Sequence, residues 1–332
     1  TWSICSWGHC LVLLSAGIIE LKLPSDGTRA CLEKIMITLS VLICVLGFHG
    51  NALVFSFLSC TIENTKFTVY ILNMAFAELF ITFHHISFWG VFLKPMTIDS
   101  DVLSWIDRLY IFARNSSFYF LTALSFERYL SVFFPVLYQR YRPKAFSIIC
   151  CTLLWGLALA VSLVERYSCY PSIFHLDQPQ IIFSCNVATI FQMILEFLIF
   201  IPIMVFSTFA VFFRMWKKGQ VMLDVTIMAT VILFLMLEAS IRMIKIIKYW
   251  HNILDGPVFI MIVMLDSTSN SIKPFVYFAI GWWNRQRGWE TLGIYLERAL
   301  NHKRNIEVSF PPFKAGPGPA VHNTDHFLAW AT

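Results

Sequence analysis

Long apolar runs constrain this chain more than any other feature of its sequence. Such runs recur seven times, and about 20 residues of α-helix cross the roughly 30 Å hydrocarbon layer of a bilayer. Charged residues make up 14% of the 332 positions, against roughly 25% in soluble domains. We therefore predict an all-α membrane protein, a bundle of seven transmembrane helices at residues 35–60, 67–93, 103–134, 145–164, 181–213, 221–247 and 257–281.

The distribution of lysine and arginine predicts how this bundle is oriented. Cytoplasmic loops of membrane proteins are enriched in these residues. Here they cluster between spans three and four, between spans five and six, and after span seven (Arg140, Arg142, Lys144, Arg214, Lys217, Lys218, Arg285, Arg287 and Arg298). We therefore expect a multi-pass plasma-membrane protein with its N-terminus outside the cell, and we attribute the net charge of +5 to this topology, not to nucleic-acid binding.

The sequence divides into four segments. Residues 1–32 are expected to form an extracellular segment, 33–281 the transmembrane domain, 282–301 an amphipathic helix at the membrane interface, and 302–332, which contains PPFKAGPGP, a disordered cytoplasmic tail. One face of the amphipathic helix is expected to present a tryptophan-rich surface to lipid (Trp282, Trp289, Leu292, Leu296 and Leu300).

The seventh apolar run contains two charged residues, Asp266 and Lys273. Charges at membrane depth are costly and rare, and they usually face the bundle interior and pair with one another. Asp266, Asn270, Lys273 and Tyr277 recur at the spacing i, i+4, i+7 and i+11, which places them on one face of a helix. This face is expected to point into the bundle. The alternative is a lysine side chain that extends to the cytoplasmic interface.

Short motifs follow a fixed order along the predicted helices. Glu127-Arg128-Tyr129 stands at the cytoplasmic end of span three, and the other anchors are GNALV (50–54) in span one, LNMAFAEL (72–79) in span two, Trp155 in span four, Pro202 in span five and KPFVY (273–277) in span seven. This order resembles that of rhodopsin-like G-protein-coupled receptors. The segments ERYLSVFFPVLYQRYRPK, LLWGLALAVSLVE, FLIFIPIMVFS and LERAL are similar to the Mas-related receptor family, and the resemblance covers about residues 35–301.

The resemblance implies roles for two groups of residues. Those for G-protein coupling are Glu127, Arg128, Tyr129 and Tyr277, where the acid is expected to hold the arginine at rest. Those of a core polar network are Asn51, Glu78, Ser117, Asp266 and Lys273. In the family pattern a sodium ion lies among such positions, held by an aspartate and an asparagine that Glu78 and Lys273 replace here. We expect the ammonium of Lys273 to take the place of sodium and to pair with Glu78.

The resemblance also implies a ligand pocket toward the outer end of the bundle, with Tyr110, Arg114, Glu165, Glu238 and Arg242 as its residues. Glu238 takes the place of a tryptophan usual in span six, and Arg114 lies 14 residues before Arg128 in span three. We expect these two residues to form a buried ion pair. Because Tyr110 replaces the aspartate of amine receptors, we expect a peptide or amphiphilic ligand.

Two cysteines are expected to crosslink the outer ends of spans four and five. Mas-related receptors join these ends by a disulfide, and Cys169 and Cys185 stand at matching positions. Both lie on the oxidising side of the predicted topology. The alternative is that one or both are free thiols.

Two other interpretations of function stay open. The unusual buried charges and the absence of a proline from span six also fit a receptor whose signalling is impaired. A secondary transporter could use the same charges, although the internal repeats of that class are not found. No enzyme is predicted and no cofactor or metal is expected. The expected partners are a heterotrimeric G protein, an extracellular peptide or amphiphile, and the lipid bilayer.

Overall fold

The structure is a computed structural model that describes residues 27–62, 65–93, 100–143, 145–169, 178–218, 221–243, 256–283 and 291–300. These residues form helices and no strands. The α-helices are α1 (Gly27–Cys60), α2 (Thr68–Leu93), α3 (Ser100–Phe133), α4 (Pro135–Tyr141), α5 (Phe146–Cys169), α6 (Gln178–Met193), α7 (Ile201–Lys218), α8 (Met222–Leu233), α9 (Gly256–Trp283) and α10 (Leu292–Ala299), and the π-helices are π1 (Ile194–Phe200) and π2 (Phe234–Ala239).

The helices make up the seven predicted spans. Spans one, two and three are α1, α2 and α3. Span four is α5, span five is α6, π1 and α7 in succession, span six is α8 and π2, and span seven is α9. Helix α1 begins at Gly27, and its part that is apolar enough to cross a bilayer is Ile35–Cys60, so the predicted extracellular segment of residues 1–32 overlaps the start of this helix. The other residues of that segment and the predicted tail lie outside the described part of the chain.

The apolar character of the spans fits a membrane environment. Among the residues that the structure describes, five helical segments are long and apolar enough to cross a bilayer, and α3 joins them when counted with α4, from which it is bent by 112°. Large apolar side chains such as Leu153, Leu198 and Phe206 are exposed on the outer surface. The inner face of α9 is polar instead, since Asp266, Ser267, Ser269, Asn270, Ser271 and Lys273 are all buried. Span seven therefore depends on its neighbours to satisfy its side chains.

Two turns of π-helix interrupt spans five and six. Each contains a buried glutamate, Glu196 in π1 and Glu238 in π2. A π-turn places more residues in one turn than an α-turn and shifts the register of the residues after it, and such turns are frequent at functional sites. Both acids lie in the core of the bundle, 4% and 3% exposed.

Span one packs closely against span seven next to Lys273. A Cβ atom added to Gly47 would lie 2.6 Å from the Cα atom of Ser271. Glycine is needed because this approach leaves no room for a side chain. The contact fixes the backbone of span seven two residues before Lys273.

Helix α10 packs on the end of the bundle that carries Arg128, which is called the inner end after the predicted topology, and the opposite end is called the outer end. Leu296 and Leu300 are buried, and the hydroxyl of Thr226 in span six donates a hydrogen bond to the carbonyl oxygen of Ala299 at 2.8 Å. The prediction that Leu296 and Leu300 face lipid is therefore wrong, because their side chains fill the space beside span six. Leu292 and Trp282 on the same predicted face are exposed, and Trp289 lies outside the described residues.

Candidate functional site

A buried lysine joins three spans at the centre of the bundle. The ammonium of Lys273 lies 2.5 Å from Glu78 Oε1 in span two and 2.7 Å from Glu238 Oε1 in span six. The hydroxyl of Ser117 donates to Glu78 Oε1 at 2.5 Å, and that of Ser269 to Glu238 Oε1 at 3.4 Å. The lysine and both glutamates are at most 3% exposed. The contact expected between Lys273 and Glu78 thus forms, and the lysine does not extend to the cytoplasmic interface.

The ion pair expected between Arg114 and Glu238 does not form. Glu238 pairs with Lys273 instead. The expectation assumed a regular α-helical register in span six, which π2 does not follow. The charged partner of Glu238 is therefore Lys273 of span seven.

A second buried ion pair, missed by the sequence analysis, joins spans five and six. Arg242 Nη1 donates to Glu196 Oε1. Gln192 donates to the same oxygen at 3.1 Å, and the guanidinium of Arg242 lies 4.9 Å from the centre of the Phe118 ring. Arg242 belongs to the predicted ligand pocket, and the structure gives it an acid from a helix that the prediction did not include.

Toward the outer end, polar side chains of three spans meet around Asp266. The hydroxyl of Tyr110 in span three donates to Asp266 Oδ2 at 2.5 Å, and His85 Nε2 of span two lies 3.7 Å from the same oxygen. The imidazole of His84 stacks on Tyr110, with ring centres 4.1 Å apart, and its Nε2 lies 3.7 Å from Asp107 Oδ1. The structure thus connects Tyr110 of the predicted pocket to Asp266 of the predicted core network.

The remaining predicted residues are Asn51, Glu165 and the two cysteines. Asn51 is buried in span one, and among the described residues its Nδ2 has no hydrogen-bond partner. Glu165 is half-buried near the outer end of span four. Cys185 is disulfide-bonded, whereas the side chain of Cys169 lies outside those that the structure describes, so the pairing of these two cysteines stays a prediction.

At the inner end, Arg128 of span three is held by span six. Its Nε and Nη2 atoms donate to the two carboxylate oxygens of Asp224, the second at 2.9 Å. Glu127 does not hold this arginine, contrary to expectation. Its Oε1 accepts from Arg142 Nε at 2.7 Å and from the hydroxyl of Tyr138. The short helix α4, which the sequence analysis treated as loop, brings both donors to Glu127.

The contacts of α4 extend to the loop between spans one and two. The ammonium of Lys66 lies 4.4 Å from the centre of the Tyr138 ring, and Ser147 donates to the carbonyl oxygen of Lys66 at 2.8 Å. Burial, followed by the nearby charge of Arg142, lowers the pKa of Lys66 below its usual value of 10.5. The residues around Glu127 therefore form a connected cluster, and Arg128 pairs with span six instead.

The two tyrosines predicted at this end face different surroundings. Tyr129 packs on Phe133 and Phe206, with ring centres 4.8 and 5.5 Å away. Tyr277 is buried in the hydrophobic core with Leu223 and Ile227 of span six. A small cavity adjoins the Arg128–Asp224 pair, lined by Ser125, Thr208, Val211, Met215, Ile227 and Met228. A polar pair bordered by an apolar cavity thus occupies the space between spans three, five and six.

Comparison with known proteins decides between a receptor and a secondary transporter, the classes that the sequence analysis left open. The chain is 35% identical to Mas-related G-protein coupled receptor member H of Rattus norvegicus over 297 residues, 82% of this chain and 87% of the relative. It belongs to the Mas-related G-protein-coupled receptor family. The receptor is also 30% identical to Mas-related G-protein coupled receptor member D of Macaca fascicularis, over 90% of this chain and 96% of the relative. It is 30% identical to Proto-oncogene Mas of Rattus norvegicus, over 77% and 80%. No protein-family model matches it.

The family membership confirms the resemblance that the sequence motifs predicted. The protein is a G-protein-coupled receptor, a multi-pass protein of the plasma membrane, and its relatives form a class without enzymatic activity. What the sequence analysis missed in this receptor are the acids Asp224 and Glu196. Both stand in mostly apolar runs, and the rule that singled out Lys273, a charge at membrane depth, would have found them too.

Proposed function

We propose that this receptor binds an extracellular peptide or amphiphile and activates a heterotrimeric G protein when span six moves away from Arg128. The supporting observation is the bidentate pair between Arg128 and Asp224, which ties span three to span six at the inner end. As long as this pair is intact, the guanidinium is occupied and only 3% exposed. A partner that binds Arg128 therefore has to displace Asp224, so under this proposal the intact pair belongs to the resting arrangement.

The central lysine fits the same proposal. Lys273 takes the place of the sodium ion expected at mid-membrane in related receptors, because its ammonium lies against Glu78 where the ion would bind. Its second contact, to Glu238, belongs to span six. Movement of span six would therefore have to break a charge pair at the centre of the bundle as well as one at the inner end.

Nucleotide exchange by purified G proteins tests this function. Each of the main G-protein classes is mixed with the receptor in nanodiscs, and basal exchange is measured. We expect Asp224→Asn to raise basal exchange, since Arg128 loses its carboxylate, and Arg128→Ala to abolish it at equal expression. The matched controls are Glu297→Gln and Arg140→Gln, because both residues are exposed. Exchange that is unaffected by Arg128→Ala, or absent with every G-protein class even for Asp224→Asn, would contradict the proposal.

A further inference from the structure

The first turns of helix α10 bridge the inner ends of spans one and seven. A Cβ atom added to Gly293 would lie 3.4 Å from the ring of Phe57 in span one. Two residues later, Tyr295 lies so close to span seven that a Cβ atom at Gly281 would overlap its carbonyl group. Both contacts join glycine to another element, and a close approach of this kind fixes the position of a helix. The start of α10 is therefore held across two spans.

The last turn of α10 packs against span six. The buried hydroxyl of Thr226 donates to the carbonyl oxygen of Ala299 at 2.8 Å. Leu296 and Leu300 are buried in the same hydrophobic core as Leu223, which lies in the first turn of span six. The helix thus crosses the inner end of the bundle from span one, past span seven, to span six.

The inner end of span six is held from two sides. Asp224 pairs with Arg128 of span three, and Thr226 bonds to α10. Residues two positions apart in an α-helix lie about 200° apart around its axis, so these two contacts point in nearly opposite directions. The guanidinium of Arg128 lies 5.1 Å from the centre of the Phe67 ring, which belongs to the same core as Leu296. Movement of span six away from Arg128 therefore disturbs the packing of α10 as well.

We infer that α10 is an autoinhibitory segment, which covers the inner end of span six at rest and has to detach before a G protein binds there. A G protein reaches Arg128 from the inner end, where α10 lies across the spans that have to separate. The inference rests on the proposed function for the identity of this partner. It adds the part of the receptor's own chain that competes with the partner.

The apolar face of α10 has a second place to bind after it detaches. Leu296 and Leu300 belong to the face that the sequence pattern assigns to lipid, and Glu297 on the other side of the helix is exposed. Amphipathic helices of this kind bind the membrane interface through their apolar face. The leucines thus stay out of water whether α10 lies on the bundle or on the inner leaflet. Exchange between the two places costs much less than exposure of the leucines to water, as a switch requires.

Basal nucleotide exchange by the full chain in nanodiscs tests the inference. Leu296→Asn should raise exchange several-fold, because an amide in the apolar core weakens the packing of α10. Thr226→Val is the milder second variant, which keeps the bulk of the side chain and loses the hydrogen bond to Ala299. It should raise exchange by up to about fivefold, the change in an equilibrium that one hydrogen bond produces. The amount of folded receptor is determined by thermal unfolding, and exchange is expressed per folded molecule.

Two controls separate autoinhibition from a purely structural role of α10. Glu297→Gln changes the exposed face of α10 and should leave exchange unchanged. Thr152→Val is matched to Thr226→Val, because the hydroxyl of Thr152 bonds within its own helix and the residue is exposed. It should leave exchange unchanged as well. If α10 only supports the fold, Leu296→Asn and Thr226→Val should lower exchange or leave it unchanged, which is the opposite of the expected rise.

Maleimide labelling reports the cover without a G protein. Leu223→Cys is introduced together with Cys60→Ser, which removes the exposed thiol, and the receptor with Cys60→Ser alone gives the background. Because Leu223 is buried, the new thiol should label slowly. Addition of Leu296→Asn should speed the labelling at least several-fold, whereas addition of Glu297→Gln should not.

The outcomes distinguish this inference from the proposed function. Exchange that rises with Asp224→Asn but not with Leu296→Asn or Thr226→Val would overturn the inference and leave the proposed function intact. Rapid labelling of Leu223→Cys in the otherwise unchanged receptor would overturn it too, since α10 would not cover span six. Absence of exchange in every variant would refute the proposed function instead, and the labelling would then decide alone whether α10 covers span six.

Discussion

Lys273 of span seven and Glu238 of span six meet at 2.7 Å in the centre of the bundle, where Lys273 also contacts Glu78 of span two. One ammonium thus balances two carboxylates from different helices. Because two carboxylates share one ammonium, removing the ammonium should destabilise the receptor more than removing one carboxylate. This asymmetry gives the first prediction.

Lys273→Met should destabilise the receptor strongly, by about 3–5 kcal/mol, because it leaves two buried carboxylates without a cation. Glu78→Gln should cost much less, since Glu238 still pairs with the lysine. The triple change Glu78→Gln, Glu238→Gln, Lys273→Met should recover most of the loss. Thermal unfolding in detergent measures all three, with Glu297→Gln as an exposed control. Simple addition of the single effects would show that the three side chains do not act as a unit.

Sodium should have no effect on the thermal stability of the receptor. The ammonium of Lys273 occupies the position beside Glu78 that the ion would need. Tm is measured in sodium chloride and in N-methyl-D-glucamine chloride at equal ionic strength. The variant with Glu78→Asp and Lys273→Asn should gain a dependence on sodium. If millimolar sodium raises the Tm of the unchanged receptor, the lysine does not replace the ion.

Cys169→Ser and Cys185→Ser should each impair surface expression, and the double variant should be no worse than either one. The reason is that both changes remove the same bond, whose closure of a loop of about 15 residues contributes roughly 3 kcal/mol. Surface labelling and thermal unfolding report the effect, and Cys60→Ser serves as a control because that thiol is free and exposed. Additive losses would mean that Cys185 has another partner.

Gly47→Ala should destabilise the receptor by about 1–3 kcal/mol, as in other overpacked interiors. The added methyl group would lie against Ser271 and push spans one and seven apart. Gly156→Ala is the matched control, because nothing lies within 4 Å of a Cβ atom at that position. Alanine favours helix by up to about 1 kcal/mol over glycine, so the control should be neutral or stabilising. Equal behaviour of the two variants in thermal unfolding would contradict the close packing.

The sequence predicts the spans and one central contact well, for clear physical reasons. Apolar length determines where a helix crosses a bilayer, and the spacing of Asp266, Asn270, Lys273 and Tyr277 fixes which face of span seven is interior. The partner of Glu238 could not be predicted in this way. A π-turn rotates the residues that follow it around the helix axis. The mostly apolar sequence does not indicate where such a turn occurs, because any apolar side chain suits a lipid-facing position.

The inner end of the receptor depends on contacts between residues distant in sequence. Asp224 lies 96 positions after Arg128, and no periodicity within one helix relates the two. Glu127 is the acid nearest to Arg128 in sequence, yet adjacent residues of a helix point in different directions. The helix α4 then offers Tyr138 and Arg142 to Glu127. Local pattern singled out Glu127 and Arg128, but it indicated neither Asp224 nor which of these residues touch.

The hydrogen bond between Thr226 and Ala299 couples span six to a helix outside the seven-span bundle. If span six swings outward during signalling, that bond breaks or α10 travels with it. If α10 also lies on the membrane surface, as the sequence predicts, the balance between resting and active populations would depend on the lipids beneath it. Lipid composition at the inner leaflet would therefore tune basal activity, at a distance from both the ligand pocket and the G protein.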